Sequence, residues 1–134
     1  MSDSVTAYYD RLEDKKENHE INELSSSQVF QFTYPELSES FKHLQKEQFD
    51  LFSQKMLDYG LGNISLGGDL NNLEDTNYAL QGIQIRLNDK INRLKNLLKN
   101  GKNYVPGENI KDTFIDVATY GMIAMLVIEG KWKK

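Results

Sequence analysis

The stretch Val117–Ile128 limits the folds open to this chain more than any other: only Thr119 and Tyr120 carry a side-chain oxygen, and the rest is apolar or small. It ends a helix predicted from Pro106-Gly107 to Glu129-Gly130, with a stripe of Ile110, Phe114, Val117, Gly121, Met125 and Ile128. A helix that is apolar all round must be walled on every side. The longest unbroken apolar run, Met122 to Ile128, falls far short of the ~20 residues a membrane span needs. The expected walls are therefore protein, with no membrane partner.

Two further helices are legible. Pro35 suits a first helical position, with Glu36 and Glu39 near the positive end of the dipole. Leu37, Phe41, Leu44, Gln48 and Leu51 trace one face, and Gly60 ends the helix. The next helix is predicted from Thr76 or Asn77 to Asn100-Gly101, on Leu80, Ile83, Leu87, Ile91, Leu94 and Leu98. The fold class is all-α: three long helices plus short turns. Two helices cannot enclose a third, so the core is expected to be completed by homo-oligomerisation, a dimer first.

The remaining segments are simpler. Residues 1–24 read as an acidic mobile tail, residues 25–130 as the helical domain and residues 131–134 as a basic tail. Phe30, Phe32 and Tyr34 alternate with Gln31 and Thr33, which predicts an extended aromatic strap. Residues 60–76 hold Gly60, Gly62, Gly67 and Gly68, a flexible connection with a helical turn expected near Leu70–Leu73.

Composition removes several functions. There is no cysteine, hence no disulfide framework, thiolate metal site or cysteine nucleophile. The opening Met1-Ser-Asp-Ser has no signal-peptide character, so a cytoplasmic location is expected. The net charge of −4 falls entirely on residues 1–24, leaving the remainder neutral. That balance lacks the basic excess of a duplex-binding surface, so direct nucleic-acid binding is not expected. His19 and His43 stand apart from the charged groups described next, against a triad or zinc site.

Three charged sets stand out by helical face. Lys55 and Asp58 continue the inward stripe of the first helix. Arg86, Lys90 and Arg93 form a cationic ridge about 90° from the apolar stripe of the second. Glu108, Asp112 and Asp116 repeat at four on the third, on a line leading to Ile123 and Val127. Carboxylates carried toward a core need partners, because desolvating them unpaired costs several kcal/mol. One reading is an interhelical ion-pair network. The other is a phosphate-and-metal site: carboxylates supply the oxygens Mg²⁺ prefers, while Arg and Lys neutralise phosphate. Tyr59 and Tyr120 are candidates to contact a base or sugar, although tyrosines at helix ends commonly just pack.

Lys55-Met-Leu-Asp-Tyr-Gly60, Arg86-Leu-Asn-Asp-Lys-Ile-Asn-Arg93 and Glu108-Asn-Ile-Lys-Asp-Thr-Phe-Ile-Asp-Val-Ala-Thr-Tyr120 together resemble the nucleotide modification associated domain 1 family. The chain departs from that pattern at Asn109, where a serine is expected, and in its longer segment at 61–77. The resemblance implies a small helical domain of phages and bacteria associated with modified DNA bases, in the host cytoplasm if phage-encoded. The acids of the third helix also look like half of the metal motif of MazG-like all-α nucleotide pyrophosphohydrolases, with Glu47-x-x-Asp50 as a counterpart to the other half.

The expected function is binding of a (deoxy)nucleotide phosphate between the helices. Lys55, Arg86, Lys90 and Arg93 would hold phosphate. Asp58, Glu108, Asp112 and Asp116 would hold Mg²⁺. In a catalytic version, Asp112 and Asp116 serve phosphoanhydride hydrolysis. Two alternatives stay open: a metal-free phage sponge for a host immune signalling nucleotide, and an oligomeric interaction protein whose ion pairs are purely structural.

Overall fold

The computed structural model describes residues 23–134 and the isolated Ala7. Apart from Ala7, Glu23 and Leu24, the acidic tail expected over residues 1–24 lies outside the described residues, as does His19. The described chain is all-α: α1 (Ser26–Thr33), α2 (Pro35–Tyr59), α3 (Gly62–Ser65), α4 (Leu73–Asn100) and α5 (Ile110–Ile128), with no strand among these residues. It divides into two compact units, the first ending at Glu47 and the second covering Gln48–Lys134.

In the first unit the expected aromatic strap is corrected to a helix. Ser25 caps α1: its hydroxyl accepts from Gln28 N at 3.3 Å, and the Gln28 side chain accepts from Ser25 N at 2.8 Å. This reciprocal capping box outweighs the period-two pattern. On a helix Phe30 and Tyr34 are four residues apart and share a face, with ring centroids 5.8 Å apart. Pro35 disfavours α geometry in the residue before it, and Tyr34 leaves the helix at φ −130° and ψ 67°. Its N–H still bonds Phe30 O at 2.8 Å and its carbonyl accepts from Ser38 N at 2.9 Å, so α2 starts at once.

In the second unit α2 ends at Gly60, whose φ of 69° is the left-handed geometry of a helix-stop glycine. A short helix falls at Gly62–Ser65, where Ile64 is buried, and the turn expected near Leu70–Leu73 is a single hydrogen-bonded turn, Asn72 N donating to Asp69 O at 2.9 Å. α4 starts three residues before Thr76: Asn72 caps it by accepting from Glu74 N at 2.8 Å, and Glu74 and Asp75 lie in its first turn. At its other end Gly101 N bonds Leu97 O at 2.9 Å. α5 is capped by Asn109 and ends before Gly130.

The core joins Ile64, Ala79, Ile83, Ile123, Val127 and Trp132, with Phe52, Met56 and Leu87 packed against it. Within the single chain α5 is walled on one side. Ile123 and Val127 face the core, while Phe114, Met122, Met125 and Ile128 are more than half exposed in the single chain. α4 packs along α5, and the described residues offer no comparable wall on the opposite side.

Candidate functional site

α2, α3, α4 and α5 surround a cavity of about 500 Å³ in the second unit. Its polar lining comes from Lys55 of α2, Asn63 of α3, Arg86 and Lys90 of α4, and Asp116 and Thr119 of α5. Phe52, Tyr59, Tyr120 and Trp132 supply aromatic surface. Helical spacing explains the meeting. Arg86 and Lys90 are one turn apart and flank the face that buries Ile83 and Leu94. Asp116 lies two turns before Ile123 on the buried face of α5, so its carboxylate is carried toward α4.

The centre of the site is a triad of charges. Lys55 Nζ donates to one oxygen of Asp116 at 3.0 Å, and Lys90 Nζ approaches the other at 2.9 Å. Burial alone pushes the Asp116 pKa up. The hydrogen bonds and charges of Lys90 and Lys55 outweigh it and hold the group below the ordinary aspartate value. Asp116 thus remains a carboxylate shared by two ammonium groups.

Arg86 has no carboxylate among its described partners. Its Nη2 donates to Asn63 O at 2.8 Å, and its guanidinium carbon lies 5.9 Å from the centroid of the Tyr120 ring. Among the described residues its buried Nη1 has no hydrogen-bond partner. A buried donor left unpaired is uncommon and marks excess positive character beside the cavity.

The other predicted residues are distributed unevenly. Arg93 lies beyond the lining and holds the loop before α5: its Nη1 donates to Thr113 Oγ1 at 2.5 Å and its Nη2 to Glu108 O at 3.0 Å. Asn103 Nδ2 donates to the same Glu108 carbonyl. Glu108 lines the cavity, but its carboxylate is drawn to Arg93 Nε at 3.6 Å. Asp112 accepts from Asn109 N at 3.5 Å in the α5 capping box, and Asp58 is exposed on α2 outside the lining. The four acids read as Mg²⁺ ligands are therefore not brought together. Among the described residues no three His, Asp or Glu side chains gather in a way that could hold a metal ion.

Trp132 belongs to no periodic stripe, and residues 131–134 read in sequence as a basic tail. Gly130 adopts φ 68°, Lys131 N bonds Leu126 O at 2.8 Å, and the chain folds back. The indole Nε1 then donates to Leu61 O at 3.0 Å, and its ring packs 6.2 Å from that of Phe52. The available signal was the chain's single tryptophan two residues after a helix-ending glycine. Asn63 and Thr119 were missed as well. Thr119 accepts from Gln48 Nε2 at 3.1 Å, a contact between α2 and α5 with no sequence signature.

No curated protein and no solved structure matches the chain. Nor do these comparisons show the likeness to MazG-like pyrophosphohydrolases. The first resembling block, Lys55 to Gly60, lies outside the family match. Residues 73–128, spanning α4, the following loop and α5 with the Arg86–Arg93 and Glu108–Tyr120 blocks, match the family described as nucleotide modification associated domain 1.

Proposed function

We propose that the chain binds a nucleotide, its phosphate held by Lys55 and Lys90 and its base or sugar set against Tyr59 and Tyr120. The observation that carries this reading is the charge of the lining. Among the described residues three cations, Lys55, Arg86 and Lys90, line the cavity with one carboxylate that no cation outside it engages, Asp116, while Glu108 leans to Arg93. A phosphate supplies the missing negative charge, and it can accept hydrogen bonds from both lysines at once. The volume of about 500 Å³ falls in the ordinary range for small-molecule sites, which is ~300–1,000 Å³. The family match adds an association with nucleotide modification.

The site is suited to capture: Asp116 is engaged by lysines, Asp112 by the helix cap and Glu108 by Arg93, which leaves none of the three free to hold Mg²⁺. The test is calorimetric titration of the full chain with nucleoside mono-, di- and triphosphates, with and without Mg²⁺, followed by product analysis. Saturable binding is expected, weakened at least tenfold by Lys90→Met and by Lys55→Met, as for loss of a hydrogen bond to a charged group. Product formation would move the assignment to phosphoanhydride hydrolysis. Absence of binding at millimolar nucleotide would overturn the reading.

A further inference from the structure

α5 carries a second apolar face, turned away from the core and independent of the nucleotide site. Ile110, Phe114, Met122, Met125 and Ile128 share it, 37%, 52%, 54%, 51% and 66% exposed respectively. The face runs the length of the helix, about 28 Å at 1.5 Å per residue. Between Phe114 and Ile128 the helix carries a single charge, Asp116, and that lies on the opposite side among the lysines.

Gly121 sits midway along this face. A glycine inside a helix is destabilising relative to alanine, so its presence needs a packing reason. Among the described residues nothing supplies one: a Cβ added there meets none of their atoms within 4 Å. Glycine on an outward apolar face suits close approach by another backbone.

We infer that the outer face of α5 pairs with the same face of a second copy of this chain, the two helices crossing antiparallel near Gly121. A two-fold axis at that point sets Phe114 of each copy opposite Ile128 of the other, since both lie seven residues from Gly121. An apolar face with a small residue at its centre is complementary to itself, as a two-fold contact requires. At these exposures, side chains of 150–250 Å² leave roughly 400–650 Å² per copy. Two copies that pair the whole face bury about 800–1,300 Å², a range that contains the ~1,000 Å² expected of a specific interface.

The chain has no cysteine, so one introduced thiol reports on this geometry alone. Light scattering of the full chain should give twice its 15.5 kDa mass at micromolar concentration. Gly121→Cys should form an interchain disulfide under mild oxidation, whereas Ile85→Cys, 63% exposed on α4, should not. Met125→Glu should yield a monomer with native helical content. A monomeric native chain overturns the inference; if Met125→Glu also unfolds it, the face is covered by residues of the same chain. A dimer that survives Met125→Glu and does not cross-link through Cys at 121 overturns it too, placing the contact elsewhere.

Discussion

Asp116→Asn keeps the size of the side chain and removes the only carboxylate that Lys55 and Lys90 share among the described residues. The loss has two parts. Each ion pair is partly solvated, with the lysines 47% and 30% exposed, and contributes about 0.2–1 kcal/mol. The two ammonium groups are also left within about 8 Å of each other, a repulsion of roughly 2 kcal/mol at an effective dielectric near 20. Rotation of the more exposed Lys55 relieves much of that repulsion. Smaller desolvation of the amide offsets part of the rest. The expected net destabilisation is about 1–2 kcal/mol at low salt, declining as salt screens the lysines. Urea denaturation should register it as a midpoint lower by roughly 0.5–1 M, with an unchanged slope. Ligand reverses the order. With Asp116 gone, a phosphate meets no competing negative charge at the lysines, so a nucleotide or pyrophosphate should raise the variant's midpoint more than the native one. Equal stability without ligand, together with equal stabilisation by anions, would refute the view that Asp116 occupies a phosphate subsite.

The same carboxylate predicts a pH dependence. Its folded-state pKa lies below the ordinary value, so its contribution is present above that ordinary value and is lost as pH falls through the folded pKa. The stability gap between the native chain and Asp116→Asn should therefore close in acid and persist at neutral pH, as denaturation midpoints measured across that range would show. Trp132→Ala removes a 7%-exposed ring and the indole bond to Leu61 O, and should cost about 3–5 kcal/mol by thermal or chemical denaturation. Asp112→Asn should cost about 1 kcal/mol or less through the weakened α5 cap and leave nucleotide affinity unchanged in titration. A large loss of affinity would return Asp112 to the ligand site.

Much of this protein is local and was therefore legible in the sequence. Stripes at three- and four-residue spacing, Pro35 at a helix start and Gly60 and Gly101 at helix ends act within a few residues of themselves. The all-α class and the three long helices follow from them. The same spacing put Arg86 and Lys90 on one ridge and aimed Asp116 inward. α1 was also locally encoded, but two local signals conflicted there, and the Ser25–Gln28 capping box outweighed the alternating aromatics. What only the tertiary structure decided was which charged groups share a space. One face of a helix is a few side chains wide, and neither the rotation of a neighbouring helix nor its register is written in its own spacing. Arg93, on the same ridge as Lys90, was thus drawn to the loop at Glu108, while Lys55 came across from α2 to Asp116. Trp132 is the extreme case. Its burial depends on a reversal at Gly130 and on a carbonyl of Leu61, 71 residues away, which no short-range pattern carries.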